Sequence, residues 1–112
     1  MAIVNADYSN LNFDEMAAAI GLKPKHMPML IGSFLEEAGP ILTDIKNAVE
    51  ASDYPEIKLK AHSIKGSAGN LKFNEIYEMA KEMEFAGAES NAGFDYNAYL
   101  DAISAAVATI PN

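Results

Sequence analysis

The chain has 112 residues, of which 50% are apolar, and a formal net charge of -8 at pH 7. This length and apolar content suffice for one domain with its own core, so we predict a single domain over 1–112. The acidic balance excludes a general binder of nucleic acid or anionic membranes, because both need a basic surface. The absence of cysteine excludes disulfides and thiolate metal sites and favours a reducing, cytoplasmic setting. The longest nearly uncharged apolar stretch, 102–110, is too short to span a membrane.

The first predicted element is a short helix that begins at Asn12 and stops at Gly21. Asn12 with Glu15 three residues later resembles a capping box, and glycine commonly follows the last residue of a helix. We expect segment 1–22 to form a lid on a helical bundle made by 23–112.

Four longer helices follow from the apolar spacing. Their predicted ranges are 25–51, 54–71, 74–86 and 95–108. The first of these continues through Gly39-Pro40 as one kinked helix, because its apolar residues keep helical spacing on both sides of the proline. No alternating stretch is long enough for a sheet. The predicted fold is therefore all-α: an antiparallel up-and-down four-helix bundle with an additional short N-terminal helix.

The third predicted helix carries the sequence AHSIKGSAGNL, which contains one of the chain's two histidines. At about 100° per residue, His62 points about 140° away from the middle of the apolar stripe of this helix. The residues within about 60° of His62 on that wheel are Lys58, Lys65, Gly66 and Gly69. We therefore predict that His62 faces outward. The two glycines, each costing about 1 kcal/mol in a helix relative to alanine, would leave an open patch for a partner's backbone.

Half of the lysines cluster around this histidine, in a stretch from 57 to 74 that contains no Asp or Glu. They are Lys58, Lys60, Lys65 and Lys72. Chance clustering on a solvated face is one explanation. The other is that Lys65, three residues after His62, places a cation beside an anionic group carried by the imidazole.

Glu84 lies within the apolar stripe of the fourth predicted helix. A buried carboxylate without a partner is costly, and an imidazole N–H from the neighbouring helix would satisfy it. A carboxylate on Nδ1 of His62 would fix the ring tautomer and leave the Nε2 lone pair free as a nucleophile. The alternative, that Glu84 reaches water or pairs with Lys81 or another lysine, stays open at this point.

Other chemistries find little support in the sequence. His26 and His62 lie on different helices without an HxxxH or ExxH pairing, so no metal site is predicted. There is no glycine-rich phosphate loop, and hence no recognisable ATP site. Ser63 and Ser67 point away from His62 on a helix, which disfavours a serine–histidine pair.

The sequence AHSIKGSAGNL closely resembles the signature of histidine-containing phosphotransfer (HPt) domains of bacterial two-component phosphorelays, which runs Ala-His-x-hydrophobic-Lys-Gly-Ser/Ala-Ala/Ser-x-Asn/Ser-hydrophobic-Gly. The resemblance covers about 29–87 and includes the hydrophobic-Glu pair Met83-Glu84. The sequence departs from the family pattern at Lys72, where glycine is frequent, and at Ala88, where some members carry a basic residue.

This resemblance implies that His62 accepts and donates a phosphoryl group at Nε2. It further implies that Lys65 helps to neutralise that group, that Glu84 orients the ring and that Gly66 leaves clearance for the partner. The expected partners are response-regulator receiver domains, a hybrid histidine kinase, or both. Further partner contacts are predicted at Gly69, Lys58, Ser63, Asn70 and Lys72.

The resemblance also implies a phosphocarrier and not an enzyme. No cofactor or metal of its own is expected, because the receiver domain holds its aspartate in a Mg²⁺-binding pocket. We expect a monomer, since no long apolar face is left over. Two alternatives remain: a helical adapter that binds its partner without phosphorylation, and a phosphoacceptor domain of a larger histidine kinase. Met1 and the bundle-sized length favour a stand-alone protein over the latter.

Overall fold

The computed structural model describes residues 3–111, and all regular elements within that range are helices. They are α1 (Phe13–Ile20), a single 3₁₀ turn (Pro24–His26), α2 (Met27–Glu50), α3 (Tyr54–Asn70), α4 (Asn74–Ala88) and α5 (Tyr96–Ala108). The prediction of an all-helical chain with one short and four long helices is confirmed. None of these helices is both long and apolar enough to cross a bilayer.

Short polar side chains begin three of the helices. Asn12 Oδ1 accepts the N–H of Glu15 at 3.1 Å at the start of α1. Asp53 and Asp95 do the same at the starts of α3 and α5, each accepting the N–H three residues ahead. Gly21 ends α1 with a left-handed φ of 74°. These contacts satisfy backbone groups that a helix end would otherwise leave without a partner.

Two predicted boundaries differ from the structure by two residues, and the others agree within one residue. The second helix begins at Met27 and not at 25, because residues 24–26 form the 3₁₀ turn; it then continues through Pro40 as one helix. The fourth helix ends at Ala88, two residues beyond the predicted end at 86. Gly87 is buried there against α3, and this packing keeps a glycine helical that reads as a loop residue in the sequence.

The core lies between the four long helices. Contacts join α2 with α3, α3 with α4, α4 with α5, and α2 with α5. Its largest fully buried side chains are Phe73, Met27, Ile31, Ile45, Ile57, Ile64, Ile76, Met79, Met83 and Ile103. α1 packs on the 3₁₀ turn and on α2. Since Ile57 and Ile64 anchor one face of α3 in the core, the opposite face is left to solvent.

The N-terminal segment is attached to one end of this core through Tyr8. Its backbone N–H donates to Thr109 Oγ1 at 2.8 Å, and its hydroxyl donates to Glu75 Oε1 at 2.6 Å. Its ring lies 4.7 Å from that of Phe73. Burial, together with the hydrogen bond to Glu75, raises the pKa of the Tyr8 hydroxyl well above its ordinary value.

Lys72 occupies a position that favours glycine. It follows α3 with a φ of 62°, and this left-handed conformation costs an L-residue about 1 kcal/mol. We therefore expect Lys72→Gly to raise the free energy of unfolding by about 1 kcal/mol in chemical denaturation. Lys46→Gly, in the helical and exposed part of α2, is the control and should lower it by a similar amount. A Lys72→Gly variant less stable than wild type would contradict the strain at this position.

Candidate functional site

His62 lies on the solvent-facing side of α3, as the helical spacing predicts. Its side chain is 63% exposed. Nδ1 of the ring lies 2.8 Å from Glu84 Oε2 on α4, so one nitrogen contacts the protein while most of the ring faces solvent. The placement follows from α3 itself, because Ala61 and Ile64 on either side of His62 are fully buried.

Glu84 contacts two side chains of α3 with one carboxylate. The residue is only 8% exposed. Oε2 contacts His62, and Oε1 lies 2.7 Å from Lys65 Nζ. The two alternatives that the sequence leaves open, an imidazole partner and a lysine partner, are therefore both present. The lysine is Lys65 and not Lys81, whose ammonium lies over the Phe85 ring at 5.9 Å from its centroid.

The ionisation state of Glu84 determines which atom donates the hydrogen in its contact with His62. Burial raises the pKa of the Glu84 carboxyl, but hydrogen bonds from Lys65 and His62, with their positive charge, outweigh burial and hold the pKa below its usual value. Glu84 is therefore ionised at neutral pH, and an ionised carboxylate can only accept hydrogen bonds. Hence Nδ1 of His62 carries the proton of the neutral ring, and Nε2 keeps its lone pair.

This depressed pKa makes part of the stability depend on pH. A carboxylate whose pKa is lower in the folded state stabilises the fold above its unfolded pKa of about 4.3, and the contribution is lost as pH falls through the folded value. We expect wild type to exceed Glu84→Gln in unfolding free energy at neutral pH, with the difference shrinking below about pH 4. Denaturant titrations at several pH values measure this. The control Glu89→Gln, at an exposed position, should change the unfolding free energy little at neutral or at low pH. A difference in unfolding free energy between wild type and Glu84→Gln that does not vary with pH would contradict the lowered pKa of Glu84.

The two glycines beside His62 have different surroundings. A Cβ built on Gly66 would meet nothing within 4 Å, so this position is open as predicted. A Cβ on Gly69 would lie 3.1 Å from Cδ2 of Tyr77. Gly69 therefore accommodates a side chain of α4, and its prediction as part of an open patch is wrong. The reason is that Gly69 lies on the flank of the outward face that turns towards α4.

The cluster of four lysines is also less positive than its sequence suggests. Lys60 Nζ lies 3.2 Å from Asp44 Oδ2 on α2, and Lys65 is bound to Glu84. Lys58 and Lys72 are exposed and have no ion pair among residues 3–111. The prediction of a positive surface built from all four lysines is therefore wrong for Lys60, because its charge is balanced across the α2–α3 contact.

An open cleft of about 520 Å³ lies beside the histidine. It is lined by Pro55, Lys58, Leu59, His62 and Glu84. Leu59 is 59% exposed at its edge, and Phe85, next to Glu84 in the chain, is 53% exposed. Neither apolar residue is among the predicted contact residues. A leucine outside the apolar stripe of α3 is the signal that could have found the first.

The remaining predicted residues lie outside the contacts of the ring. Ser63 donates its hydroxyl to Leu59 O at 3.3 Å within α3. Asn70 lines a separate groove between α2 and α3. His26 is half-buried at the start of α2 without a side-chain capping bond. No group of three side chains suited to a metal ion occurs within residues 3–111.

The comparison with protein families gives a match that contains this whole site. The family model for the Hpt domain matches residues 29–109. That range runs from the first turn of α2 to one residue beyond the end of α5, and it extends past the 29–87 covered by the sequence resemblance. No curated protein and no solved structure matches the chain.

Proposed function

Because the chain belongs to the Hpt domain family, whose members carry phosphoryl groups in two-component signalling, we propose that His62 is its phosphorylated residue and that Nε2 forms the bond. The supporting observation is the contact of 2.8 Å between Nδ1 of this exposed ring and the buried Glu84 carboxylate. It favours the tautomer whose lone pair lies on Nε2, towards solvent and a partner.

The transfer that this arrangement suits needs no proton movement. The bond between phosphorus and an aspartate oxygen of a receiver breaks as the bond from phosphorus to Nε2 forms, and the electron pair of the broken bond stays on the aspartate. The ring keeps its proton on Nδ1 and gains positive character, which the Glu84 carboxylate stabilises. Because the transition state is loose, positioning and charge neutralisation supply most of the rate.

Two lysines are suited to neutralise the transferred group. Lys65 forms an ion pair with Glu84 at 2.7 Å, and its ammonium has three donors, so it could also contact phosphoryl oxygens. Lys58 lines the same cleft as His62 and is exposed. We propose that Lys65 contacts the phosphoryl group and that Lys58, with Lys72 further along, attracts the acidic pocket of the partner.

The proposed partner is a response-regulator receiver domain, or a hybrid histidine kinase that contains one. Gly66 would let the backbone of this partner approach α3. The exposed Leu59 and Phe85 would give the partner apolar contacts beside the histidine. Ser63 and Asn70 remain predicted contacts at the edge. The Mg²⁺ of the reaction would belong to the receiver, and this chain would contribute no nucleotide site or cofactor.

The wider arrangement that we propose is one domain with α2 to α5 in antiparallel up-and-down order. Consecutive helices contact each other, and α2 contacts α5, as such a bundle requires. A monomer in the cytoplasm fits the proposed exchange with receiver domains.

Incubation with receiver domains carrying radioactive phosphate on their aspartate tests the proposed function. We expect label on the chain that is labile to acid and stable to alkali, with a matching loss from the receiver. His26→Gln is the matched control and should be labelled like wild type. If a broad panel binds the chain without labelling it, the chain is a phosphorylation-independent adapter and the proposal is wrong.

A further inference from the structure

Gly87 of α4 sits where α4 comes closest to the backbone of α3. A Cβ built on it would lie 3.0 Å from Lys58 N, 3.2 Å from Tyr54 O and 3.3 Å from Ile57 Cγ2. The first two atoms belong to residues four apart in α3, the spacing of a helical hydrogen bond. Backbone atoms of a packed helix cannot turn aside as a flexible side chain can, so any side chain at position 87 would push the two helices apart.

We propose that Gly87 is a positioning residue for His62, acting through Glu84. Gly87 follows Glu84 by three residues, which places both on the same face of α4 about one turn apart. Glu84 reaches from this face to His62 at 2.8 Å and to Lys65 at 2.7 Å. Because the helix is stiff over one turn, the separation of the backbones at Gly87 sets how far the Glu84 carboxylate extends towards α3.

The expected displacement is large enough to matter for the hydrogen bond. Cβ contacts of 3.0–3.3 Å with atoms of α3 are closer than ordinary van der Waals contact, so an alanine at position 87 would require α4 to retreat from α3 by a few tenths of an ångström. An N–H···O bond weakens beyond about 3.2 Å. The contact between Nδ1 and Oε2, now 2.8 Å, would lengthen towards that limit, and the weakened hydrogen bond would let a larger share of the rings carry the proton on Nε2, the proposed nucleophile.

Gly69 offers a matched control on the same pair of helices. It lies opposite Tyr77, at the other side of the His62–Glu84 contact along α3. A Cβ there would meet the edge of the Tyr77 ring at 3.1 Å, and no backbone atom of α4 is among its nearest neighbours. Since a half-buried ring can shift by a small side-chain rotation, Gly69→Ala should leave the spacing of the helices at Glu84 unchanged.

The test compares Gly87→Ala, Gly69→Ala and wild type by long-range proton–nitrogen correlation NMR of the His62 ring, at a pH where imidazoles are neutral. Circular dichroism checks that each chain is folded. We expect the proton on Nδ1 in wild type and Gly69→Ala, and at least a several-fold larger population with the proton on Nε2 in Gly87→Ala. A folded Gly87→Ala variant with the wild-type tautomer overturns the inference.

A stabilised parent chain is used if Gly87→Ala alone does not fold. Ser52 has a φ of 53° in the exposed turn between α2 and α3, so Ser52→Gly relieves strain worth about 1 kcal/mol. The tautomer is then compared between Ser52→Gly and the Ser52→Gly/Gly87→Ala double variant. If the double variant is also unfolded, Gly87 serves the packing of the whole bundle and the positioning role is wrong.

The effect of Gly87 on phosphoryl transfer rests on the proposed function, whereas its effect on the ring does not. We expect Gly87→Ala to accept label from a receiver more slowly than wild type does. If no receiver labels even the wild-type chain, but Gly87→Ala shifts the tautomer, the proposed function is wrong and the role of Gly87 stands. If wild type is labelled, but Gly87→Ala keeps the wild-type tautomer, the role of Gly87 is wrong and the proposed function stands.

Discussion

Replacing His62 by glutamine is expected to abolish phosphoryl acceptance while leaving the bundle folded. The side chain is 63% exposed, so its removal takes little from the core. A glutamine amide can still donate a hydrogen bond to the buried Glu84 carboxylate, which avoids leaving that charge without a partner. What it lacks is a nitrogen lone pair that can attack phosphorus. Label transfer should therefore fall to background, with a change in unfolding free energy within about 1 kcal/mol.

The comparison for this variant is His26→Gln, the same substitution at the other histidine. His26→Gln should be labelled at the wild-type rate, and thermal unfolding followed by circular dichroism should show both variants folded. Undiminished label on His62→Gln would show that another residue carries the phosphoryl group. An unfolded His62→Gln chain would show that the histidine supports the bundle and does not merely sit on its surface.

Replacing Gly66 by glutamine is expected to slow transfer from a receiver by about a hundredfold or more while stabilising the chain slightly. No atom lies within 4 Å of the position of a Cβ at Gly66, so the added side chain fits the isolated bundle. Glutamine is also the better helix former by about 0.5–1 kcal/mol. In the complex, however, the side chain would stand where the receiver approaches, and displacing the reacting atoms by about 1 Å costs about a hundredfold in rate.

Ser104→Gln is the matched control for Gly66→Gln, because it adds the same side chain to an exposed position of α5 away from His62. Its transfer rate should equal that of wild type. Denaturant unfolding reports the stability of both variants. Rapid transfer by Gly66→Gln would mean that the partner does not approach α3 at this glycine, and the clearance argument would be wrong.

Much of the site follows from the sequence because it depends on the rotation of single helices. A period of about 100° per residue suffices to turn His62 outward and to place Glu84 on the inner face of α4. Capping by Asn12 and Asp53 is equally local, since each cap contacts a residue three positions ahead.

What the sequence misses depends on how two helices are set against each other. Helical period alone does not show that Lys60 meets Asp44, or that Lys65 shares Glu84 with the histidine. It also cannot separate Gly66, which faces open space, from Gly69, which lies against Tyr77. These contacts need the register and distance between helices, which are set by the packing of the whole core.

The role of Gly87 belongs to the same class. In the sequence this glycine reads as the first residue of a loop, yet in the structure it is a buried helical residue against the α3 backbone. Gly87 and Glu84 lie about one turn apart on the same face of α4. The packing of α4 on α3 at Gly87 therefore affects the hydrogen bond between Glu84 and the His62 ring.

An NMR experiment that detects coupling between phosphorus and the ring nitrogens of the phosphorylated chain would identify the modified atom. We expect phosphorus to couple to Nε2 of His62 alone, while Nδ1 of the same ring remains protonated. Coupling to Nδ1 or to a nitrogen of His26, or phosphate attached to a residue other than histidine, would contradict this expectation.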